Sequence, residues 1–489
     1  MFPELSSHLL NAWGLRNPEQ AKKNLRILAQ TDILPPVAVD IVERFNRCLP
    51  LAMEPDRVLA DFTRFVQSLS QIDSFGEYKK SLSEVLVNLI NIFSFSEQLR
   101  NQLLQEPNIF HLLARVKNNT SNRSGVTDEI LELLKPFEKD DVEVIEVLQR
   151  WKNRQLVQIG YMELIFQPPL EVIAQQITSL CDSIVGATVD YLLRQHELRW
   201  GIPRRSDGEK SRFAVLALGK LGGAEMSYSS DIELLCIYDE DGQTDGKRST
   251  PNHLFFESVA TDLKKILGAQ GGAQTIFQVD YQLRPGGLDG PLAVTADAAS
   301  RHYDLAGRTW ERQALVKARS VAGDIQLGKY FLDRMATWIY HRYLSVAEIT
   351  EIKALKRRLE RLTRTAGEES FDVKTGHGGI RDIEFVIQFL QLLNGADQAA
   401  VRSPNTLQAV DSLAAGGFLN DQEKSILSGN YRFLRNLEHR LQLAFGMQTY
   451  RLPRGRKERS SLAAQMGYPD NEGPGSENHF EEIYKKITA

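Results

Sequence analysis

The stretch LGKLGGAEMSYSSDIELLCIYD, from Leu218 to Asp239, decides the fold of the middle of the chain. It begins with a glycine-rich turn that carries one lysine, and it ends in an apolar run that contains two acids, Asp231 and Glu233. This run and the apolar run at 213–218 are short and bounded by turn residues, which predicts two β-strands. Side chains two residues apart on a strand project from the same face, so the two carboxylates are expected to point together.

The segments that follow extend these strands into a small mixed sheet. The sequence QTIFQVDYQLRP at 274–285 predicts a third strand, which carries Asp280. Before it, the sequence PNHLFFESVATDLKKILGAQGG at 251–272 predicts a helix, because proline stands at its start and glycine just past its end. We therefore expect a small α/β unit in which helices connect the strands.

Helical patterns dominate both flanks of this unit. Apolar residues recur at spacings of three and four before the polar loop KNNTSNRSGVTD at 117–128, and again after about residue 325. The loop is a natural boundary, and the last run, HFEEIYKKITA at 479–489, shows no stop signal, so a longer protein is expected. The expected domains are a helical region at 1–116, an α/β domain at 117–340 and a helical bundle at 341–489.

The composition argues against several classes of protein. The chain has 489 residues and a formal net charge of −4, which speaks against a nucleic-acid-binding protein because such proteins usually contain a basic domain. Its three cysteines are widely separated, which predicts neither disulfides nor a structural zinc site and fits a reducing cytoplasm. Neither a signal peptide nor about 18 consecutive uncharged apolar residues is present, so we expect no membrane span.

The acids on the predicted strands form a candidate metal site. Carboxylates held side by side repel each other, and a divalent cation relieves that repulsion. Mg²⁺ prefers carboxylate oxygens together with substrate phosphates. Asp231, Glu233 and Asp280 would thus orient a phosphate ester for displacement at phosphorus.

The glycine turn suits the same chemistry, because glycine lets the backbone approach a phosphate and N–H groups at a helix start attract anions. Lys220 adds a charge next to Gly219, and Ser229 and Ser230 can donate hydrogen bonds to phosphate oxygens. The alternative is a solvated acidic pair, since an acid–x–acid pattern alone marks a metal site in roughly one case in ten. The apolar flanks, the glycine turn and Asp280 favour the metal site.

With these features the sequence resembles the nucleotidyltransferase superfamily that includes polymerase β. The resemblance is closest to the glutamine synthetase adenylyltransferase/adenylyl-removing enzymes, and it covers about residues 210 to 455. The segments that carry it are ALGKLGGAEMSYSSDIELLCIYD (217–239), VDYQLRPGGLDGPL (279–292), GRTWERQALVKARSVAGD (307–324), GHGGIRDIEFVIQFLQL (376–392), YRFLRNLEHRLQL (431–443) and MQTYRLP (447–453).

The resemblance implies an α+β fold, with a polymerase β-like nucleotidyltransferase domain between a helical N-terminal region and a C-terminal helical bundle. It also implies a full-length protein with two catalytic heads. One head removes AMP from a tyrosine of glutamine synthetase by phosphorolysis, giving ADP, and the other attaches AMP from ATP. The motifs here resemble the AMP-removing half. The implied ligands and partners are Mg²⁺, phosphate, ADP or ATP, glutamine synthetase and a PII-type signal protein.

By the same resemblance, the three carboxylates are the catalytic and metal-binding residues, and the turn at 219–220 and the two serines contact phosphate. Five further cations are expected to contact phosphate or nucleotide. For Arg284, Lys317 and Arg319 the alternative is surface charge or ion pairing with Glu311 and Asp324. For Arg381 the alternative is an ion pair with Glu384 in the same helix. The five cations are Arg284, Lys317, Arg319, Lys374 and Arg381.

Two positions depart from the family pattern. Glu233 stands where the family usually has aspartate, and Gln282 stands where it usually has arginine. A longer acid would shift a metal by up to about an ångström, and such displacements can cost about a hundredfold in rate. Three functions therefore follow as hypotheses: AMP removal by phosphorolysis, AMP attachment from ATP, or a weakened regulatory module that binds glutamine synthetase or a PII-type protein.

Overall fold

The structure is a computed structural model. It describes residues 7–31, 38–70, 79–114, 116, 126–135, 141–268, 270–271, 274–341, 350, 372–446, 449–468 and 476–488. The first of these ranges are helical, as predicted, and most of the predicted boundary loop at 117–128 lies outside the described residues. The helices are α1 (Ser7–Ala12), α2 (Pro18–Ala29), α3 (Ala38–Cys48), α4 (Pro55–Ser70), α5 (Lys79–Phe95), α6 (Glu97–Gln105), α7 (Phe110–Leu113) and α8 (Val126–Leu134).

Two long helices, α9 (Asp141–Phe166) and α10 (Leu170–Trp200), lead to the sheet. By length and composition α10 could cross a membrane, but 67% of its most apolar window is buried inside the protein. A buried core helix of a folded domain can have the same length and composition. The expected absence of a membrane span stays a prediction.

The α/β unit alternates short strands and helices. Its longest strands coincide with the two apolar runs around the quoted stretch, and its helix before the third strand is the predicted one. The elements are β1 (Pro203–Arg205), β2 (Phe213–Leu218), α11 (Gly219–Gly222), β3 (Ile232–Tyr238), β4 (Gly242–Thr244), α12 (Asn252–Gly268), β5 (Gln270–Gly271), β6 (Gln274–Thr275), β7 (Val279–Asp280), β8 (Ala293–Thr295), α13 (Ala296–Ala306), α14 (Thr309–Leu315), β9 (Arg319–Gly323) and α15 (Ile325–Ile339).

The main sheet is mixed, as predicted, with the strand order β7-β3-β2-β9 and β8 also paired with β3. Strand β2 runs antiparallel to β3 and β9, whereas β3 runs parallel to β7 and β8. Helices cover both faces. Alternate residues of β2 and β3 therefore enter two different apolar clusters, one with α10 and α12 and the other with α13 and α15. This burial on both faces explains why the two strands have continuous apolar sequences.

The third predicted strand is much shorter than expected. Within 274–285 the structure has β6 and the two-residue β7, after which the chain turns. The guanidinium of Arg284 holds the turn by donating to the carbonyls of Tyr281, Leu288 and Gly290 at 2.8, 2.8 and 2.9 Å. This local contact replaces the hydrogen bonds that a longer strand would make.

The C-terminal part is helical and has an apolar cluster of its own. Part of the helical pattern predicted after about residue 325, at 345–364, lies almost entirely outside the described residues, and the predicted domain boundaries stay predictions. The three cysteines are free and buried. The helices are α16 (Ile380–Asn394), α17 (Thr406–Ala415), α18 (Asp421–Phe445), α19 (Arg456–Gln465) and α20 (Ser476–Thr488).

Candidate active site

A cavity of about 500 Å³ opens where the glycine turn, strand β3 and helices α14 and α16 meet. It is large enough for a nucleotide, because small-molecule sites span about 300–1,000 Å³. Aromatic and amide side chains form part of its lining. The rest of the lining is strongly charged and contains Lys220, Asp231, Glu233, Lys317, Lys374, Arg381 and Glu384.

Glu233 lies near each of the other two predicted carboxylates. Asp231 directly precedes β3, and Glu233 is its second residue. In the parallel pairing of β3 with β7, Glu233 stands opposite Asp280. Burial raises the pKa of the Glu233 carboxyl, and the nearby Asp280 carboxylate raises it further. Negative charge is therefore concentrated at this edge of the sheet, although Asp280 itself is not part of the cavity lining.

This cluster is compatible with an open metal site rather than a closed one. Within the described ranges, no group of three or more His, Cys, Asp or Glu side chains is placed so that it could hold a metal ion, and this includes the three predicted carboxylates. Mg²⁺, however, is usually held by one or two carboxylates plus waters and substrate phosphates. A cation would also relieve the mutual repulsion of Glu233 and Asp280, so the residues fit such an ion.

The glycine turn lies directly against the longer of the two acids. Gly219 has a φ of +52°, and a Cβ built on it would lie 2.5 Å from Oε2 of Glu233. The backbone conformation favours glycine here, and a Cβ would displace the end of the Glu233 side chain. The glutamate that departs from the family pattern is thus accommodated by the turn.

The turn's lysine belongs to a buried ionic network. Lys220 pairs with Glu438 of α18, which in turn pairs with Arg435 at 2.8 Å. The Arg435 guanidinium also donates to the Glu225 carbonyl at 2.6 Å. Burial lowers the pKa of Lys220 to about 8, against the opposing effect of Glu438. Burial would raise the pKa of Glu438, but Lys220 and Arg435 outweigh it and lower that pKa to about 2.

Lys317 closes the other end of this network. Its Nζ lies 2.8 Å from Glu384 and 3.6 Å from Glu225. Burial lowers the pKa of Lys317, but the two carboxylates outweigh that effect and raise it. The network therefore joins two lysines of the cavity through one buried arginine, Arg435.

Of the other predicted contact residues, some line the cavity and some do not. Lys374 and Arg381 line the cavity, as does Ser230, and Nζ of Lys374 lies 4.5 Å from the centre of the Tyr450 ring. Ser229 is not part of this lining, and its backbone N–H donates to Gln442 at 3.2 Å.

The glycine turn before α16 does not offer all of its backbone donors to an anion. The N–H of Gly378 donates to the side chain of Asp382 at 2.9 Å. The predicted alternative of an Arg381–Glu384 pair is also not what the structure shows, since Glu384 pairs with Lys317.

Two predicted phosphate contacts do not reach the cavity. Arg284 is buried and uses its guanidinium to hold its own turn. Arg319 donates to both oxygens of Asp182 at 2.9 Å. Neither pairs with Glu311 or Asp324, the partners proposed in the alternative. The structure therefore supports structural roles for both arginines.

Sequence reasoning missed the residues that support the site from α18. Arg435 and Glu438 stand at i and i+3 of an amphipathic helix, a spacing that is also typical of ordinary surface charges. The available signal was their place next to the apolar stripe of Leu434, Leu437 and Leu441, all fully buried. Tyr450 was missed as well, because the quoted segment MQTYRLP gave no spacing that points to a site.

Comparison with known proteins agrees with this geometry. The family model for glutamate-ammonia ligase adenylyltransferase matches residues 86–334. The family model for GlnD PII-uridylyltransferase matches residues 346–489. The first match contains the sheet and the carboxylates, and the second contains α16 and α18.

Similar curated proteins carry the name bifunctional glutamine synthetase adenylyltransferase/adenylyl-removing enzyme. The protein of Methylococcus capsulatus is 35% identical over 330 residues, which are 68% of this chain and 35% of that protein. Those of Hahella chejuensis and Thioalkalivibrio sulfidiphilus are 30% identical over 81% and 89% of this chain and 41% and 45% of their own lengths. This chain thus spans well under two thirds of these relatives. The family predicted from the sequence is confirmed: the chain belongs to the glutamate-ammonia ligase adenylyltransferase family.

Proposed function

We propose that the chain removes AMP from an adenylylated tyrosine of glutamine synthetase by phosphorolysis, releasing ADP. The observation that carries the proposal is one cavity that is lined by both acids and cations. Asp231 and Glu233 line it together with Lys220, Lys374 and Arg381. Such a site can bind two anionic groups, the phosphodiester of the modified tyrosine and the attacking phosphate, while keeping them in line.

The carboxylates and cations would divide the work. Asp231, Glu233 and Asp280 would hold Mg²⁺, which when bound supplies positive charge to the phosphate oxygens. Lys220 and Lys374 would orient the attacking phosphate, and Arg381 would offer the forked guanidinium that suits phosphate oxygens. The leaving phenol has a pKa near 10, so it departs without a strong general acid. Positioning and charge therefore account for most of the catalysis we expect.

AMP attachment from ATP is the second candidate, because displacement at phosphorus would use the same carboxylates. The relatives' names include both activities. A PII-type protein is a further proposed partner, since residues 346–489 match a PII-uridylyltransferase family model. Loss of catalysis with retained binding is the third candidate. The Glu233–Gly219 contact argues against it, because the turn accommodates the longer acid.

One experiment separates these candidates. The chain is incubated with adenylylated glutamine synthetase, Mg²⁺ and phosphate, and separately with unmodified glutamine synthetase, Mg²⁺ and ATP. ADP formed in the first mixture supports AMP removal. AMP transfer in the second mixture without ADP in the first supports attachment. Binding without either reaction supports the regulatory module and contradicts our proposal.

Substitution of Gly219 by alanine is expected to reduce ADP formation by up to about a hundredfold, because the new Cβ would push the Glu233 carboxylate out of place. The clash distance of 2.5 Å to Oε2 leaves no room for the methyl group without such a shift. Steady-state ADP release measures the effect. Gly417→Ala is the matched control, since Gly417 also has a positive φ, +80°, and a Cβ there meets no atom within 4 Å. Equal rates for the two variants would contradict the expected role of the turn.

The pKa of Lys220 predicts a pH dependence. A lysine is cationic below its pKa, so the charge on Lys220 is present below about pH 8 and is lost above it. We expect the KM for phosphate to rise as the pH is raised through 8. In Lys220→Arg this rise should disappear, because arginine stays protonated. An unchanged alkaline rise in Lys220→Arg would show that another group titrates.

A further inference from the structure

Helices α14 and α16 form one wall of the cavity, and the polarity of this wall changes along its length. At one end Lys317 pairs with Glu384 at 2.8 Å, as part of the buried ionic network. Gln313 lies four residues before Lys317, and Gln388 lies four residues after Glu384. The Gln313 amide donates to the Gln388 side-chain carbonyl oxygen at 2.8 Å. The chains thus run in opposite directions, and the two pairs lie about one helical turn apart. The wall passes from a charged pair to a neutral amide pair.

An aromatic side chain lies on the same helix face as the amide end of this wall. Trp310 precedes Gln313 by three residues, so the two share one face of α14. Trp310, Leu283 and Phe385 line the same cavity. Aromatic and aliphatic surface with a few fixed polar groups is typical of the part of a pocket that holds a flat ring. The charged end suits phosphates, so one ligand with a phosphate and a ring would fill both ends.

The amide pair has a definite hydrogen-bonding capacity. The bond from Gln313 to Gln388 uses one N–H of the first amide and the carbonyl of the second. The Gln313 carbonyl then remains as an acceptor and the Gln388 NH₂ group as a donor. Adenine presents the complementary pattern, an N6 donor beside a ring-nitrogen acceptor, which is why glutamine pairs with it in two-bond recognition.

We propose that Gln313 and Gln388 select adenine as the base of the nucleotide, with Trp310 and Phe385 against its ring. This inference rests on the proposed function in so far as that function has an adenine nucleotide as product. It holds for either direction of the reaction, because the base is the same in ADP and ATP. The two glutamines are then specificity-determining residues, distinct from the carboxylates that act at phosphorus.

The test uses the whole chain with Mg²⁺ and compares binding of ADP and inosine diphosphate by calorimetry. The two ligands differ at the base edge, where inosine reverses the positions of donor and acceptor. We expect ADP to bind roughly ten- to a hundredfold more tightly to the unaltered chain. In Gln388→Glu the NH₂ donor of residue 388 is replaced by a second acceptor oxygen, so the ratio of affinities should fall to about one.

Two further proteins complete the design. Val386→Glu places the same new charge on an exposed position of α16 and should keep the unaltered ratio. Gln313→Glu also leaves two acceptors, and it replaces Gln388→Glu if the latter does not fold. Equal affinities in the unaltered chain, an unchanged ratio in both glutamine variants, or no measurable binding of either nucleotide would overturn the inference.

The outcome is separable from that of the proposed function, because binding is measured without glutamine synthetase. ADP formation from adenylylated glutamine synthetase without base preference would reject the adenine site and keep the function. The opposite result is a preference for ADP that is lost in Gln388→Glu, together with no ADP formation from adenylylated glutamine synthetase. That result would keep the adenine site and reject the proposed function.

Discussion

Asp231→Asn is expected to lower ADP formation from adenylylated glutamine synthetase by roughly 10²–10³-fold, the range seen when one preorganised charge-stabilising group is removed. Asparagine keeps the shape of the side chain but removes a negative charge that would hold Mg²⁺. Asp231 also raises the pKa of Glu233 through like-charge repulsion. Its neutralisation therefore relieves part of the repulsion that acts on the Glu233 carboxyl. Loss of activity without loss of stability marks a functional rather than a structural carboxylate.

The matched control is Asp333→Asn, which removes an exposed carboxylate from α15, outside the cavity lining. Its ADP formation should equal that of the unaltered chain. Rates are measured under saturating Mg²⁺ and phosphate, so that a change of affinity is not mistaken for a change of turnover. Near-normal turnover in Asp231→Asn would remove this residue from the proposed centre.

Arg435→Met is expected to destabilise the chain by about 3–5 kcal/mol, because the loss of one partner leaves buried charges uncompensated. The side chain of Arg435 is 1% exposed and that of Glu438 is fully buried. Methionine fills much of the space but offers neither charge nor donors to Glu438 and Glu225. The midpoint of urea denaturation, with circular dichroism as the signal, measures the loss.

Arg432→Met is the matched control one turn earlier on the same helix. Arg432 pairs with Glu171 at 2.7 Å, but its side chain is 45% exposed. Exposed pairs contribute about 0–1 kcal/mol, so this variant should remain close to the unaltered chain. Similar losses in both variants would mean that α18 responds to any lost arginine, and that the buried network has no special weight.

Much of the local structure could be predicted from sequence, because periodicity reports burial directly. The apolar runs at 213–218 and 232–238 are strands buried on both faces, and the helix predicted within 251–272 is α12. The i and i+2 spacing placed Asp231 and Glu233 on the cavity. The glycine turn was predicted to meet phosphate, and the structure adds that Gly219 itself lies against Glu233.

The remaining errors concern partners that are distant in the sequence. Arg319 pairs with Asp182, which is 137 residues away, and Lys220 pairs with Glu438, which is 218 residues away. A single sequence does not show which helix will pack against a given cation. Arg284 is a different case, because its partners are backbone carbonyls only three to six residues away, and residue patterns do not reveal such contacts.

The six charges of the buried network also bear on how the protein can be dissected. Lys220, Glu225 and Lys317 belong to the segment matched by the adenylyltransferase family model. Glu384, Arg435 and Glu438 belong to the segment matched by the uridylyltransferase model. Neither set is neutral alone, and each carries the opposite excess. The two segments are therefore not interchangeable modules: a chimera that joins one of them to a foreign counterpart must also transplant the charges across the seam.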